Sequence, residues 1–247
     1  MALSTYITSP EKAAQYRAEG FWKDHTVYER VRTSAEVNPD KVAIIDSDRR
    51  FTYADVLRTI DILAGNLLDL GIPKGGIVAV QSKNAAELPL MHMAAQRIGL
   101  LYMPLHDSWR DIEVEHALKT AQVSALVIPG VYRDFDHGSM IAQMQTSLPH
   151  LKHVFVLDGK PAAPGFRDFA DLLKAHSHST ADLDAQRPDP DAPATLMLSG
   201  GTTSLSKISP WSSNNVLDAL DGYARNVGYG SDDVTAAIAP AGTGATG

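Results

Sequence analysis

The apolar positions Val56, Leu57, Ile60, Leu63, Ala64, Leu67 and Leu68 recur at helical spacing. Thr52 and Asp55 ahead of them suit a capping box, and Gly71 sits past the end. Before this helix, Ser9-Pro10 starts a first helix that Gly20 ends, and Val27, Val31 and Ala35 form one stripe of a second. "VAIIDSDRRFTY" reads as a hairpin, an apolar run and a short returning strand around a polar turn. After the helix, "IVAVQS", "LYMPL", "SALVIP", "HVFVLD" and "ATLMLS" are short apolar runs of strand length. Between them the spacing predicts a helix capped by Asn84 and Glu87 and running to Gly99. It also predicts one capped by Ser108 and ending near Ala121, and two more near 138–147 and 166–175.

Strands alternating with helices imply an α/β fold with mostly parallel sheets flanked by helices. The connector "RPDPDAP", Arg187 to Pro193, is the strongest break in composition. The expected organisation is a helical segment over 1–40, a first α/β subdomain over 41–186, the connector 187–193 and the start of a second α/β unit over 194–247.

Composition narrows the function classes. The chain has 247 residues, is 44% hydrophobic and 21% charged, and carries net charge −7 with no basic run, so nucleic acid is not an expected partner. There is no cysteine, which excludes a disulfide framework, a thiolate metal site and a cysteine nucleophile. The first twenty residues lack the apolar core of a secretory signal, and His92, Gln96 and Arg97 interrupt the most apolar long stretch, Leu88 to Leu105. The expected setting is the cytoplasm, away from membranes.

The densest candidate chemistry is "LSGGTTSLSK", Leu198 to Lys207, which follows the strand "ATLMLS" directly. Gly200 and Gly201 let backbone N–H groups turn inward and leave no Cβ in the way of a bulky anion. Ser199, Thr202, Thr203 and Ser204 add hydroxyl donors, and Lys207 adds a positive charge. The stretch is not a Walker A loop, because Ser206 precedes Lys207 and Ile208 follows it. From these residues alone, a phosphate site and a polar turn between strands both remain open.

The stretch resembles the signature loop of the adenylate-forming ligases, a superfamily that includes acyl-CoA synthetases and aryl-acid AMP ligases. Ser199, Gly200, Gly201, Thr202, Thr203 and Lys207 match in order and spacing, while Ser204 and Ser206 stand where the family usually has glycine and proline. "KVAIIDSDRRFTYADVLRTIDILAGNLLDLGIPKGGIVAVQSKNAAELPLMHMAAQRIGLLYMPL" resembles the opening half of these enzymes, and "YRAEGFWKDHTVYERV" is similar to the start of the aryl-acid branch.

The resemblance implies the N-terminal subdomains of that fold with its C-terminal part absent. It further implies ATP with Mg²⁺, a small carboxylic acid activated to acyl-AMP, and coenzyme A or a carrier pantetheine as acceptor. Ser199 to Ser204 and Lys207 would hold the phosphates, and Gly242 and Thr243 would border the acyl pocket. The resemblance assigns no catalytic residue within this chain and no protein metal ligand. The missing C-terminal half on another chain, or a second copy, would then be the partner.

Two other readings stay open. One is a non-catalytic α/β binding module. The other is a dinucleotide-dependent oxidoreductase, suggested by the literal G-x-G-x-x-G at Gly242 to Gly247 after "VTAAIAP", read as a strand. His176 and His178 read as a solvated helix end, His92 as core packing, and Asp107 to Asp111 as a charged helix start.

Overall fold

The structure is a computed structural model that describes residues 7–161, 163–199 and 206–239. Helix α1 (Pro10–Ala18) begins where the Ser9 side chain accepts from the Lys12 N–H, and α2 (Val27–Val37) begins with a Thr26/Glu29 capping box. Strands β1 (Val42–Asp46) and β2 (Arg49–Thr52) form the expected antiparallel hairpin. Helix α3 (Tyr53–Leu68) carries the predicted Thr52/Asp55 capping box and buries Val56, Ile60, Leu63, Ala64 and Leu67.

Next come β3 (Ile77–Gln81), α4 (Glu87–Arg97), β4 (Leu101–Leu105), α5 (Asp111–Ala121) and β5 (Ala125–Ile128). A small hairpin of β6 (Val131–Tyr132) and β7 (Phe135–Asp136) leads into α6 (His137–Met144). Strands β8 (His153–Val156) and β9 (Phe166–Asp168), helix α7 (Thr180–Asp184), strands β10 (Pro193–Leu198) and β11 (Ile208–Ser212) and helix α8 (Ser213–Val227) complete the described residues.

Seven strands form the central sheet in the order β11-β10-β4-β3-β5-β8-β9, parallel throughout except that β11 runs antiparallel to β10. Every residue of β3, β4 and β5 is buried, as expected of strands covered on both faces. Alternation sorts their side chains. Val78, Val80, Tyr102 and Val127 join one core with α3 and α4, whereas Ala79, Met103, Leu126 and Leu196 join another with α5 and α6. Burying each Val, Leu or Ile contributes about 1.5–3 kcal/mol.

Strand β10, which follows the connector 187–193, is hydrogen-bonded into this same sheet, so the connector links two of its strands. Ion pairs hold the connector to the N-terminal helices: Arg17 Nη2 lies 2.6 Å from Asp191 Oδ2, and Arg187 Nε 2.6 Å from Glu29 Oε1. Arg97, 3% exposed, ties α4 to its neighbours. Its guanidinium lies 4.2 Å from the Tyr28 ring centroid and meets Asp61 at 3.3 Å and Asp184 at 2.6 Å.

Four local expectations are corrected. Asn84 does not cap α4, which starts without a side-chain cap; the Asn84 amide donates to the carbonyls of Ala237 and Ala239, and Asp46 accepts the Ala86 N–H. Ser108 does not cap α5. Its N–H donates to His106 Nδ1 at 3.1 Å, and the helix starts at Asp111 with Glu113 accepting from the Arg110 N–H. The expected helix near 166–175 is β9 followed by a 3₁₀ turn over Phe169–Leu173. Five residues with Phe169 and Leu172 buried satisfy either period. Residues 233–238 form no strand among the described residues, and Val234 and Ile238 are exposed.

Candidate active site

Strand β10 is parallel to β4, with Thr195 opposite Tyr102, so the chain leaves it at the carboxyl edge of the sheet. That edge is where open α/β sheets bind ligands. The chain returns as β11, with Leu198 opposite Ile208. At the mouth of this hairpin the Ser199 N–H donates to the Lys207 carbonyl at 2.9 Å, and the Lys207 N–H donates to Ser199 Oγ at 3.0 Å. Ser199 Oγ thus accepts within the fold and keeps its own O–H to donate. The Lys207 ammonium is exposed and has no hydrogen bond or ion pair among the described residues. His116 of α5 steadies the same foot, its Nε2 3.2 Å from the Ser206 carbonyl.

Gly200, Gly201, Thr202, Thr203 and Ser204 lie outside the described residues, as do Gly242 and Thr243. Residues 237–239, a few positions before Gly242, are described. Asn84, just after β3, holds the carbonyls of Ala237 and Ala239 at 2.9 and 2.8 Å. Ser199, Ser206 and Lys207 on one side and residues 237–239 on the other therefore approach one edge of one sheet.

A cleft of about 1040 Å³ runs along the α5 side of the hairpin, with Ile77, Leu101, Leu196 and Ile208 among its walls. Ser206 and Lys207 also line it.

The polar residues after β4 are structural. Gln81, fully buried, donates from Nε2 to the carbonyls of His106 and Trp109 at 3.0 Å each. Arg110 donates to the carbonyls of Asp107 and Trp109 and stacks 4.2 Å over Phe135. His178 pairs with Asp69 at 2.7 Å, and among the described residues no three carboxylate or imidazole groups converge as a metal site would require. No helix among the described residues is long and apolar enough to cross a membrane.

His92 is more than packing. Its Nε2 lies 2.8 Å from Thr195 Oγ1 and 2.6 Å from Gln96 Nε2, and its ring stacks on Tyr102 at 4.5 Å. Burial pushes the imidazole pKa down to about 4 and the Tyr102 phenol upward. The sequence signal was available: a threonine within an otherwise apolar strand, and histidine and glutamine four apart on a mostly apolar helix.

The family model described as AMP-binding enzyme matches residues 31–245. A 2-hydroxy-7-methoxy-5-methyl-1-naphthoate–CoA ligase of Streptomyces carzinostaticus is 31% identical over 94% of this chain and 42% of its own length. A vibriobactin-specific 2,3-dihydroxybenzoate-AMP ligase of Vibrio cholerae is 32% identical over 82% of this chain and 36% of its own. The apo structure of Mycobacterium smegmatis MbtA superposes with a TM-score of 0.80 and 31% identity, over 93% of this chain and 42% of that one. The chain thus spans about two fifths of the length of the relatives it matches.

Proposed function

This chain belongs to the AMP-binding enzyme family, and on that premise we propose that it is the nucleotide-gripping part of a ligase that activates an aromatic carboxylic acid with ATP. The observation that carries the reading is the pair Ser199 and Lys207, closed by two hydrogen bonds at the carboxyl edge of the sheet, with the lysine ammonium unpaired among the described residues. The loop between them, Gly200 to Ser204 included, would hold the β- and γ-phosphates through backbone N–H groups and hydroxyls. Lys207 would offset charge on the departing pyrophosphate. Bound Mg²⁺ supplies further neutralisation of phosphate oxygens.

In the reaction the acid's carboxylate oxygen attacks the α-phosphorus of ATP, forming acyl-AMP as the bond to pyrophosphate breaks. A thiol of coenzyme A or of a carrier pantetheine then takes the acyl group and AMP leaves. Such chemistry needs no protein nucleophile, only in-line placement and charge stabilisation. Gly242 and Thr243 would border the acid, since residues 237–239 just before them already lie near the phosphate-loop edge. Aromatic acids are favoured because relatives matched over most of this chain are named for naphthoate and dihydroxybenzoate substrates.

The dinucleotide reading of the terminal glycines loses its context, because residues 233–238 form no strand to lead into them. The experiment is thermal unfolding of the chain with ATP and Mg²⁺, with NAD as the comparison. A rise in midpoint with ATP alone supports the ligase reading, and a rise with NAD alone contradicts it.

A further inference from the structure

Strand β10 leads to Ser199, the first foot of the candidate phosphate loop, and is seated on the sheet between β4 and β11. Strands β3 and β4 pair along their full length, from Ile77 opposite Leu101 to Gln81 opposite Leu105. Strand β10 takes its register on β4 where Thr195 stands opposite Tyr102. At that same height Thr195 and Gln96, both buried, form a side-chain triangle with the half-buried His92. Gln96 Nε2 donates to Thr195 Oγ1 at 2.9 Å and lies 2.6 Å from His92 Nε2, and His92 Nε2 lies 2.8 Å from Thr195 Oγ1. The His92 ring rests on Tyr102, the register partner of Thr195. Thr195 and Gln96 are 3% and 1% exposed, so water has little access to the bond between them.

The triangle is directional. Leu196 and Leu198 point into the α5 layer, whereas Thr195 points the other way, onto α4. A slip of one residue moves a strand by about 3.3 Å and turns Thr195 to the wrong face. His92 Nε2 faces both the Gln96 amide and the Thr195 hydroxyl, its role as donor or acceptor set by the imidazole tautomer. The Gln96 carbonyl oxygen is buried without a partner among the described residues. A polar group kept at that cost is not explained by packing alone, because an apolar side chain of similar size would fill the space.

We propose that His92, Gln96 and Thr195 are positioning residues, a lock between α4 and β10 that sets the height of the phosphate loop relative to the sheet. The lock acts through Thr195, four residues before Ser199, and touches no substrate. Its consequence for nucleotide binding rests on the ligase reading above; its consequence for the loop's foot does not.

The test is Thr195→Val, which keeps shape and removes the hydroxyl, beside Thr195→Ser, which keeps the hydroxyl. Gln96→Met is the second variant should the valine not fold. Two readouts are taken on the full chain: ATP binding by calorimetry with Mg²⁺, and amide exchange at Ser199 and Lys207, set against Val80 and Val127 in the sheet centre. The lock predicts that Thr195→Val weakens ATP binding about fivefold and raises exchange at Ser199 and Lys207 about tenfold, with the central strands unchanged and Thr195→Ser near wild type. Equal exchange at the loop's foot, or a uniform rise that includes Val80 and Val127, overturns it. If the wild-type chain does not bind ATP, the ligase reading fails, and the lock stands or falls on exchange alone.

Discussion

Ser199 and Lys207 clasp each other through two hydrogen bonds, N–H to carbonyl at 2.9 Å and N–H to Oγ at 3.0 Å. Eight positions apart in sequence, they fix both feet of the loop that carries the candidate phosphate chemistry. The serine is therefore a closure of the hairpin as well as a donor. Ser199→Ala removes the acceptor for the Lys207 N–H and is expected to cost about 1 kcal/mol or less, since the site is exposed. Amide exchange at Lys207 checks this, and should accelerate while the thermal midpoint barely moves.

Arg97 makes a different prediction, about the scaffold. Its guanidinium is buried against Tyr28 and bonded to Asp61 and Asp184, so it joins α4 to α2, α3 and α7. Arg97→Leu leaves its carboxylate partners partly exposed and able to hydrate, and is expected to cost about 2–3 kcal/mol through lost packing and hydrogen bonds. Urea denaturation should show a lower midpoint with an unchanged slope.

Gly99 turns the chain from α4 into β4 at a φ of +74°. A Cβ there meets the flexible Lys74 side chain, which can move, so the cost of Gly99→Ala is backbone strain of about 1–2 kcal/mol. Thermal unfolding should shift down by roughly 2–8 °C, as expected for a domain of this size.

The half-buried His92 sets a pH dependence. Its folded pKa of about 4 lies below the ordinary 6.5, so between these values the unfolded chain binds the proton and the folded chain resists it. Stability is therefore complete above about pH 6.5 and falls as pH drops toward 4, by about 3 kcal/mol at most from this residue. Burial lowers His137 and His153 as well, so they slope the same way. In His92→Gln the decline of unfolding free energy from pH 6.5 to 4.5 should be shallower than in wild type. An equal slope would contradict the assignment.

Much of this was legible in the chain because the signals were local. The α3 capping box, the helical stripe from Val56 to Leu67 and the apolar runs of β3, β4 and β5 all read correctly. The errors arose where partners outside the helix claimed a local signal. Asn84 looked like a helix cap but is engaged by Ala237 and Ala239, about 150 residues away, and Ser108 is engaged by His106. The link from His92 and Gln96 to Thr195 spans about a hundred residues, and no local period encodes it. The resemblance to a phosphate loop rests on residue order within ten positions, whereas the strand order that brings Ser199 and Lys207 to the carboxyl edge of the sheet had to be seen.

The central claim is that the loop between Ser199 and Lys207 grips a triphosphate. Titration calorimetry of ATP with Mg²⁺ into the wild-type chain and Lys207→Ala tests it most directly. The account predicts binding by the wild type and an affinity lowered about tenfold or more in the variant, equivalent to roughly 1.4 kcal/mol, at unchanged thermal stability. Equal affinity in the two proteins, or no binding by the wild type, would contradict it.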